Sequence, residues 1–493
     1  MVQEPALNLS MLSDFYEFTM ANGYFKSEMR DRIVYFDLFF RSVPDGGGFA
    51  IFAGVAQVID YLTNLRFTDE DLAYFRSKGL FDEEFIGYLR DFEFTCDVYA
   101  IEEGTPVFPN EPLLILKGPA IQAQLVETVL LVTLNHQSLI ATKANRIVRA
   151  AEGRPVLEFG ARRAHGAGAA LYGSRAAFIG GCSSTSNTLA GRVFDIPAAG
   201  TMAHSWVQIF DSEYDAFATY ARLYPDDCTL LIDTYNVLKS GLPNAIRVFD
   251  EVLSPLGFRP KGVRIDSGDM TYLSIRIREM LDEAGYQDCK IVASNSLDEY
   301  LIRDTLSQGA RIDIFGVGER LVTAESHPVF GGVYKLVAVE KDGGIQPKIK
   351  ISENISKITL PHFKHVYRLF SKETGRAIAD YITLHDEVVD CSAPLELFHP
   401  EHTWKRKTVE NFTAVPLLVK MVENGKCIYA KKTTKQIQDE CTMKVSQLWD
   451  EVKRFEYPHE YIVDLSPKLW ETRYELLLLQ SSGSENKKKF DKF

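Results

Sequence analysis

Cysteine is scarce and unpatterned in this sequence. Its seven cysteines (Cys96, Cys182, Cys228, Cys289, Cys391, Cys427 and Cys441) are odd in number and nowhere spaced as CxxC. That argues against a disulfide framework and a zinc site, and predicts the reduced thiols of a cytoplasmic protein. No run of about eighteen apolar residues occurs, so no segment is expected to span a membrane. The start, Met1-Val-Gln-Glu-Pro-Ala, lacks the basic-then-apolar order of a signal peptide. Positive charge is also in short supply, with 55 Lys and Arg against 67 Asp and Glu and a net charge of -12. A broad basic face for nucleic acid is therefore not expected, although a small polyanion needs only a few Arg, Lys or helix N-termini. A Walker A sequence and a GxSxG elbow are missing, and Gly316-Val-Gly318 is too short for a dinucleotide fingerprint. The close pairs His362 and His365, and His399 and His402, lack a carboxylate-rich setting and are expected to be ordinary surface histidines.

What is present reads as a soluble globular chain of 493 residues, 46% apolar and 25% charged, too long for one core and consistent with two or three domains. Seven short apolar runs, at 155–160, 178–183, 198–204, 229–233, 262–266, 290–294 and 313–318, are mostly followed by helical stretches such as 242–256, 270–284 and 297–308. Ser296 with Glu299 predicts a capping box at the start of the last of these. Strand–helix alternation of this kind predicts βα units and a parallel α/β barrel over residues 151–345, with chemistry at the C-terminal rim. The strand-end residues Glu158, Arg162, Ser184, His204, Asp233, Arg264, Asp266, Ser294, Asn295 and Gly318 are then the site candidates. Residues 1–150 predict a separate mixed α/β domain: a strand over 32–40, a glycine-rich turn at 41–48, short strands within 98–116 and a long helix over 125–151. Mixed strands and charged helices follow over 346–480, and the tail 481–493 is expected to be disordered.

Within this frame the densest chemistry lies at 200–205, Gly-Thr-Met-Ala-His-Ser. His204 sits among small residues, where an imidazole has room to shuttle protons or accept a phosphoryl group; a structural histidine at a strand end is the plainer alternative. Arg264 and Asp266 are two apart on one strand and so share a face. They form either an internal ion pair or an anion grip beside a carboxylate that meets developing positive charge. The small, hydroxyl-rich stretch 180–191 is either a tight turn or a cradle of N–H and hydroxyl groups. Arg162 and Arg163 follow Phe159 directly after a strand, an unfavourable place for arginine in a first helical turn unless an anion is near.

Together these segments resemble the nicotinate phosphoribosyltransferase family, of the type II phosphoribosyltransferases. The resemblance is carried by Ser13-Asp-Phe-Tyr16-Glu-Phe-Thr-Met20, Glu158-Phe-Gly-Ala-Arg162-Arg163, the 180–191 loop, the 200–205 stretch, Leu231-Ile-Asp233-Thr-Tyr235, Val263-Arg264-Ile-Asp266-Ser-Gly-Asp269 and Gly331-Gly-Val-Tyr-Lys335-Leu336, in family order. It implies an incomplete seven-stranded α/β barrel plus a mixed α/β domain built from the N- and C-terminal segments, and a homodimer with shared sites. The implied reaction joins nicotinate to 5-phosphoribosyl 1-diphosphate, giving nicotinate mononucleotide and diphosphate for NAD salvage by the Preiss–Handler route. ATP is a co-substrate, and magnesium accompanies ATP and the diphosphate substrate.

The same resemblance makes His204 the phosphohistidine, with Asp233 orienting its ring and Asp266 facing the ribose. Nicotinate would lie between Phe159 and Tyr16, the latter from the partner subunit, and meet Thr201, Arg162 and Arg264. Arg41 and Lys335 would reach phosphates, and Gly318 would let the backbone approach the 5-phosphate. Glu319, beside Gly318, is left out of the site because a carboxylate there must point away from phosphate. Asn187 stands where the nicotinamide-using relative carries an acidic residue, which favours nicotinate. The alternatives are that nicotinamide enzyme and a catalytically silent metabolite-binding protein on the same barrel.

Overall fold

The computed structural model describes residues 8–354 and 357–481, and the chain divides into two units. One comprises Ile140–Pro328 with Thr433–Gln438. Its parallel sheet has the order Ser184–Thr185, Val156–Glu158, Ile314–Val317, Lys290–Ser294, Gly262–Ile265 and Thr229–Leu231. A further parallel bridge joins Thr185 to Ala198. Leu230, Val263, Ile265, Ile291, Ala293, Phe315 and Val317 are all fully buried. Such runs, apolar on both faces, are what a parallel sheet covered by helices requires.

Several sequence expectations are corrected here. The run at 178–183 is not a strand: Phe178 and Ile179 close the helix Ala167–Ile179, and the strand comes later, at Ser184–Thr185. His204 opens a short helix, His204–Gln208, rather than ending a strand. The capping box at Ser296 does not form, because Asn295 and Ser296 adopt φ of 92° and 50°, outside the extended conformation an N-cap needs. Asp298 caps the helix instead, accepting from Leu301 N at 2.8 Å. Glu299 turns inward to a buried pairing with Lys143 Nζ and Arg146 Nε, both at 2.8 Å. The stretch 242–256 is not one α-helix: π-turns at Val237–Gly241 and Phe249–Leu253 flank the α-helix Leu242–Val248. Gly241 is pressed so closely on the strand end that a Cβ there would fall 1.8 Å from Ile232 O.

A short piece of the C-terminal half completes this unit. Thr434 Oγ1 donates to Phe194 O at 2.9 Å, and Gln438 Nε2 donates to Phe178 O at 2.7 Å and Cys182 O at 2.8 Å. These contacts satisfy carbonyls that close two helices and a turn.

The second unit is built from the rest of the chain. Its larger sheet has the order Gly344–Pro347, Val333–Lys341, Ile33–Phe39, Leu114–Pro119, Asp97–Ile101, Leu418–Glu423 and Lys426–Cys427. Ile33–Phe39 is antiparallel to both its neighbours, with Asp37 opposite Lys335 and Ile115. A four-stranded sheet, Phe412–Pro416, Lys364–Ser371, Ala377–Leu384 and Val463–Leu465, lies in the same unit. The predicted disordered tail falls outside the described residues, except that Ser481 closes the helix Pro467–Ser481.

The paired histidines divide. His362 and His365 are half-buried rather than on the surface, and burial pushes both imidazoles down from their usual range. His399 and His402 stack at 4.8 Å, and His399 Nδ1 accepts from the N–H groups of Glu401 and His402. Among the described residues no group of three or more His, Cys, Asp or Glu could hold a metal, and no helix is long and apolar enough to cross a membrane. All seven cysteines are free.

Glu17, in the helix Phe15–Phe25, is fully buried and accepts from Ser13 Oγ and, at 2.7 Å, from Thr128 Oγ1. Burial is the main cause that lifts its carboxyl from 4.5 to about 7. The folded state therefore holds this proton more tightly than the unfolded chain. The contribution is fully present below about 4.5 and is lost as pH rises through about 7. Glu17→Gln is accordingly expected to gain thermal stability over the parent as pH is raised from about 5 to about 8. Parallel melting curves at every pH would show that Glu17 does not titrate in that window.

Candidate active site

The ends of adjacent parallel strands bring Asp233, Arg264 and Asp266 together, and His204 joins them from the first position of its short helix. His204 Nδ1 lies 3.1 Å from Thr234 Oγ1. Its Nε2 faces two carboxylates, Asp233 Oδ1 at 3.9 Å and Asp266 Oδ2 at 4.0 Å. The ring is 39% exposed while the Asp233 side chain is 1% exposed, so a ligand can reach the imidazole but not pass behind it. Asp233 Oδ2 is tied to the next strand end, accepting from Asp266 N at 2.8 Å and Ser267 Oγ at 2.6 Å. Its Oδ1 is buried without a hydrogen bond. A buried, unmet carboxylate oxygen is costly unless something cationic or donating faces it.

Arg264 crosses the same floor. Its Nε donates to Ser294 Oγ at 2.9 Å, Nη1 to Thr201 Oγ1 at 3.1 Å and Nη2 to Asp266 Oδ1 at 2.8 Å. Ser294 Oγ also donates to Asp266 Oδ1. The internal ion pair that the sequence allows is thus formed, and it leaves two of the five guanidinium N–H groups for a ligand. The guanidinium carbon sits 5.4 Å from the centre of the Phe159 ring. That ring is seated on Gly316, where a Cβ would come within 2.7 Å of it, so residue 316 must be small for Phe159 to lie here. Glu158, fully buried, fixes the same turn by accepting from Gly160 N, from Ser174 Oγ at 2.9 Å and from Thr185 Oγ1 at 2.6 Å.

Other candidates stand differently. Asn187 is a helix cap: Oδ1 accepts from Leu189 N and Ala190 N, while Nδ2 donates to Ala170 O at 3.1 Å and Ser174 Oγ at 3.3 Å. Gly318 has φ −122°, and the close approach there is to Phe159 O, 3.0 Å from where a Cβ would stand. Glu319 turns to Arg163, 3.4 Å away. Arg162 is exposed in the turn Ala161–Arg163, with no partner among the described residues.

Tyr16, Arg41 and Lys335 belong to the second unit. Tyr16 is 47% exposed, and Lys335 Nζ lies 3.7 Å from Glu127 Oε1. The Arg41 guanidinium rests 5.6 Å from the Phe39 ring centre.

Two functional hydroxyls escape the sequence reasoning. Thr234 takes Nδ1 of the histidine, and Ser267 holds Asp233. The signal available is position: each directly follows a strand-end aspartate, Asp233 or Asp266.

Comparison with known proteins places this geometry. The chain matches the nicotinate phosphoribosyltransferase (NAPRTase) N-terminal domain over residues 11–135, the NAPRTase family over 155–368 and the nicotinate phosphoribosyltransferase C-terminal domain over 363–473. It is 46% identical to a nicotinate phosphoribosyltransferase of Bacillus subtilis, over 95% of each chain. A Mycobacterium tuberculosis nicotinate phosphoribosyltransferase is 42% identical over 85% of this chain and 83% of that protein. The crystal structure of human nicotinic acid phosphoribosyltransferase superposes with a TM-score of 0.82 at 30% identity, covering 94% of this chain and 100% of that one. With strand-end chemistry and full-length likeness agreeing, the chain belongs to the nicotinate phosphoribosyltransferase family.

Proposed function

We propose that this chain is an ATP-coupled nicotinate phosphoribosyltransferase of NAD salvage. Nicotinate, 5-phosphoribosyl 1-diphosphate, ATP and water become nicotinate mononucleotide, diphosphate, ADP and phosphate. The observation that carries this reading is the His204 ring held between Thr234 and the carboxylates of Asp233 and Asp266, on one floor with Arg264 and Phe159. The parallel strands and the Ala198 bridge support an incomplete seven-stranded barrel for that floor.

The geometry supports these roles. With Thr234 accepting from Nδ1–H, the Nε2 lone pair of His204 is free to take the γ-phosphoryl group of ATP. A phosphoryl group there would lie close to two carboxylates, and the unmet oxygen of Asp233 suits a cation, so Asp233 and Asp266 would be the residues to hold magnesium. Bound, the metal would supply charge neutralisation for phosphoryl oxygens. Asp233 is thus a carboxylate facing Nε2 more than a hinge for the ring, a job Thr234 performs. Nicotinate attacks the sugar through its ring nitrogen, so no covalent nucleophile is needed on the ribose side. Phe159 offers a flat face to the pyridine, and the two remaining Arg264 N–H groups with Arg162 suit its carboxylate. Asp266 faces the positive charge that develops at the sugar as diphosphate leaves. Asn187, its amide fully used within the protein, contributes to base choice by keeping that position uncharged.

Gly318 belongs to the phosphate side of this site, and Arg41 and Lys335 are basic residues suited to bind phosphate. A homodimer with shared sites is supported by the exposed apolar side chains Leu12, Phe15, Tyr16 and Met20 on and beside one helix. Free cysteines throughout support a cytoplasmic setting.

The test is nicotinate-dependent release of diphosphate by the purified protein, with and without ATP, beside His204→Ala. The parent is expected to use nicotinate and to respond to ATP; the variant is expected to keep basal turnover and lose that response. Faster turnover of nicotinamide would replace the substrate assignment. Full ATP stimulation in the variant would remove the phosphohistidine role.

A further inference from the structure

The second unit contains a cavity of about 1350 Å³ that the chemistry above does not use. Asp37 and Asp464 line it while only 2% and 4% exposed. Asp37 meets Lys364 Nζ through Oδ2 at 2.8 Å, but its Oδ1 has no hydrogen bond. Asp464 has no side-chain hydrogen bond or ion pair among the described residues, and burial lifts both carboxyls to about 6. At the outer edge Lys405 and Lys407 are exposed and have no ion pair among the described residues. Trp404, 74% exposed, and Tyr457, 97% exposed, stand beside them. The lining also includes the rings of Phe39, Phe108 and Tyr461, the last two stacked on each other at 3.7 Å.

A void left by imperfect packing is apolar and stays dry. This one is lined by the Asp464 carboxylate, 4% exposed and without a donor among the described residues, a condition relieved by a ligand carrying N–H groups. Its aromatic walls suit a flat ring, and its two outer lysines suit an anion. We propose that this cavity is a second ligand site, separate from the His204 site, for a planar amino-bearing heterocycle that carries a phosphate. The heterocycle enters first, its amino and ring N–H groups turned to Asp464. The phosphate stays at the mouth with Lys405 and Lys407. Adenosine 5′-monophosphate is the simplest probe with both ends, and adenosine and ribose 5-phosphate each lack one.

The experiment is equilibrium dialysis of the full chain against labelled adenosine monophosphate, with tryptophan fluorescence followed in parallel and Trp404→Phe to identify the reporting ring. One saturable equivalent per chain is expected, bound more tightly than adenosine or ribose 5-phosphate. Asp464→Asn is expected to weaken the nucleotide and adenosine alike, by about tenfold, the loss of one charge-assisted hydrogen bond. Lys405→Ala with Lys407→Ala, a surface change that spares the core, is expected to weaken the nucleotide and leave adenosine unchanged. Absence of saturable binding at millimolar nucleotide overturns the proposal. So does an affinity that neither cavity variant alters, which would put the nucleotide elsewhere, or an equal affinity for ribose 5-phosphate, which would remove the heterocycle from the cavity.

Discussion

Asp266→Asn is expected to lower kcat for diphosphate release by about 10²- to 10³-fold, the scale of losing one preorganised electrostatic group from a transition state. The substitution is informative because so little else changes. Asp266 Oδ1 accepts from Arg264 Nη2 and from Ser294 Oγ, and an asparagine oxygen can keep both. The Asp266 backbone N–H still donates to Asp233 Oδ2, so the strand end stays anchored. What is removed is one negative charge and one carboxylate oxygen facing His204. If that charge acts on the developing cation, kcat and kcat/KM fall together while KM for nicotinate stays within about threefold. A rise in KM with kcat intact would instead make Asp266 a ground-state binding residue. Initial rates over a range of both substrates separate the two outcomes.

The second large effect concerns stability. Arg368 and Asp380 form a doubly hydrogen-bonded pair, Nε to Oδ1 at 2.8 Å and Nη2 to Oδ2 at 2.6 Å, with 4% and 0% of their side chains exposed. Tyr461 donates to Asp380 Oδ1 at 3.1 Å and stacks on Phe108 at 3.7 Å, and the guanidinium lies 5.3 Å from the Phe108 ring centre. Burial, and after it the Asp380 charge, push the Glu111 carboxyl beside this pair well above the usual carboxylate range. Asp380→Ala leaves the guanidinium buried without its anion and is expected to cost about 3–5 kcal/mol in urea unfolding. The double change Arg368→Met with Asp380→Leu removes both charges and is expected to cost clearly less than Asp380→Ala alone. Costs that simply add would show that the two residues do not act as a unit.

How far the sequence leads depends on what each feature requires. Asp233, Arg264 and Asp266 can be found from it because parallel strands must end on one rim, so polar residues closing apolar runs converge wherever the helices lie. The orientation of the His204 ring is another matter. It is set by the Thr234 hydroxyl, and which small polar neighbour takes a ring nitrogen depends on side-chain packing that spacing does not encode. Phe178 and Ile179 look like a strand because a short, fully apolar run reads alike in a buried helix end and a buried strand. Ser296 has the composition of a cap and the wrong backbone, since the turn at Asn295 and Ser296 is left-handed. In the second unit, Ile33–Phe39 is recognisable as a strand, yet its partner Val333–Lys341 is about three hundred residues away in the chain, and no local pattern announces that pairing.

The small docking of Thr433–Gln438 bears on the order in which the protein can be assembled. The carbonyls of Phe178, Cys182 and Phe194 are made early in synthesis, and their donors Thr434 and Gln438 leave the ribosome some 240 to 260 residues later. During that interval the three carbonyls lack these side-chain donors, although Phe178 O already accepts from Gly181 N at 3.0 Å. A fragment ending at Pro328, attractive as a minimal catalytic piece, would never gain the Thr434 and Gln438 donors.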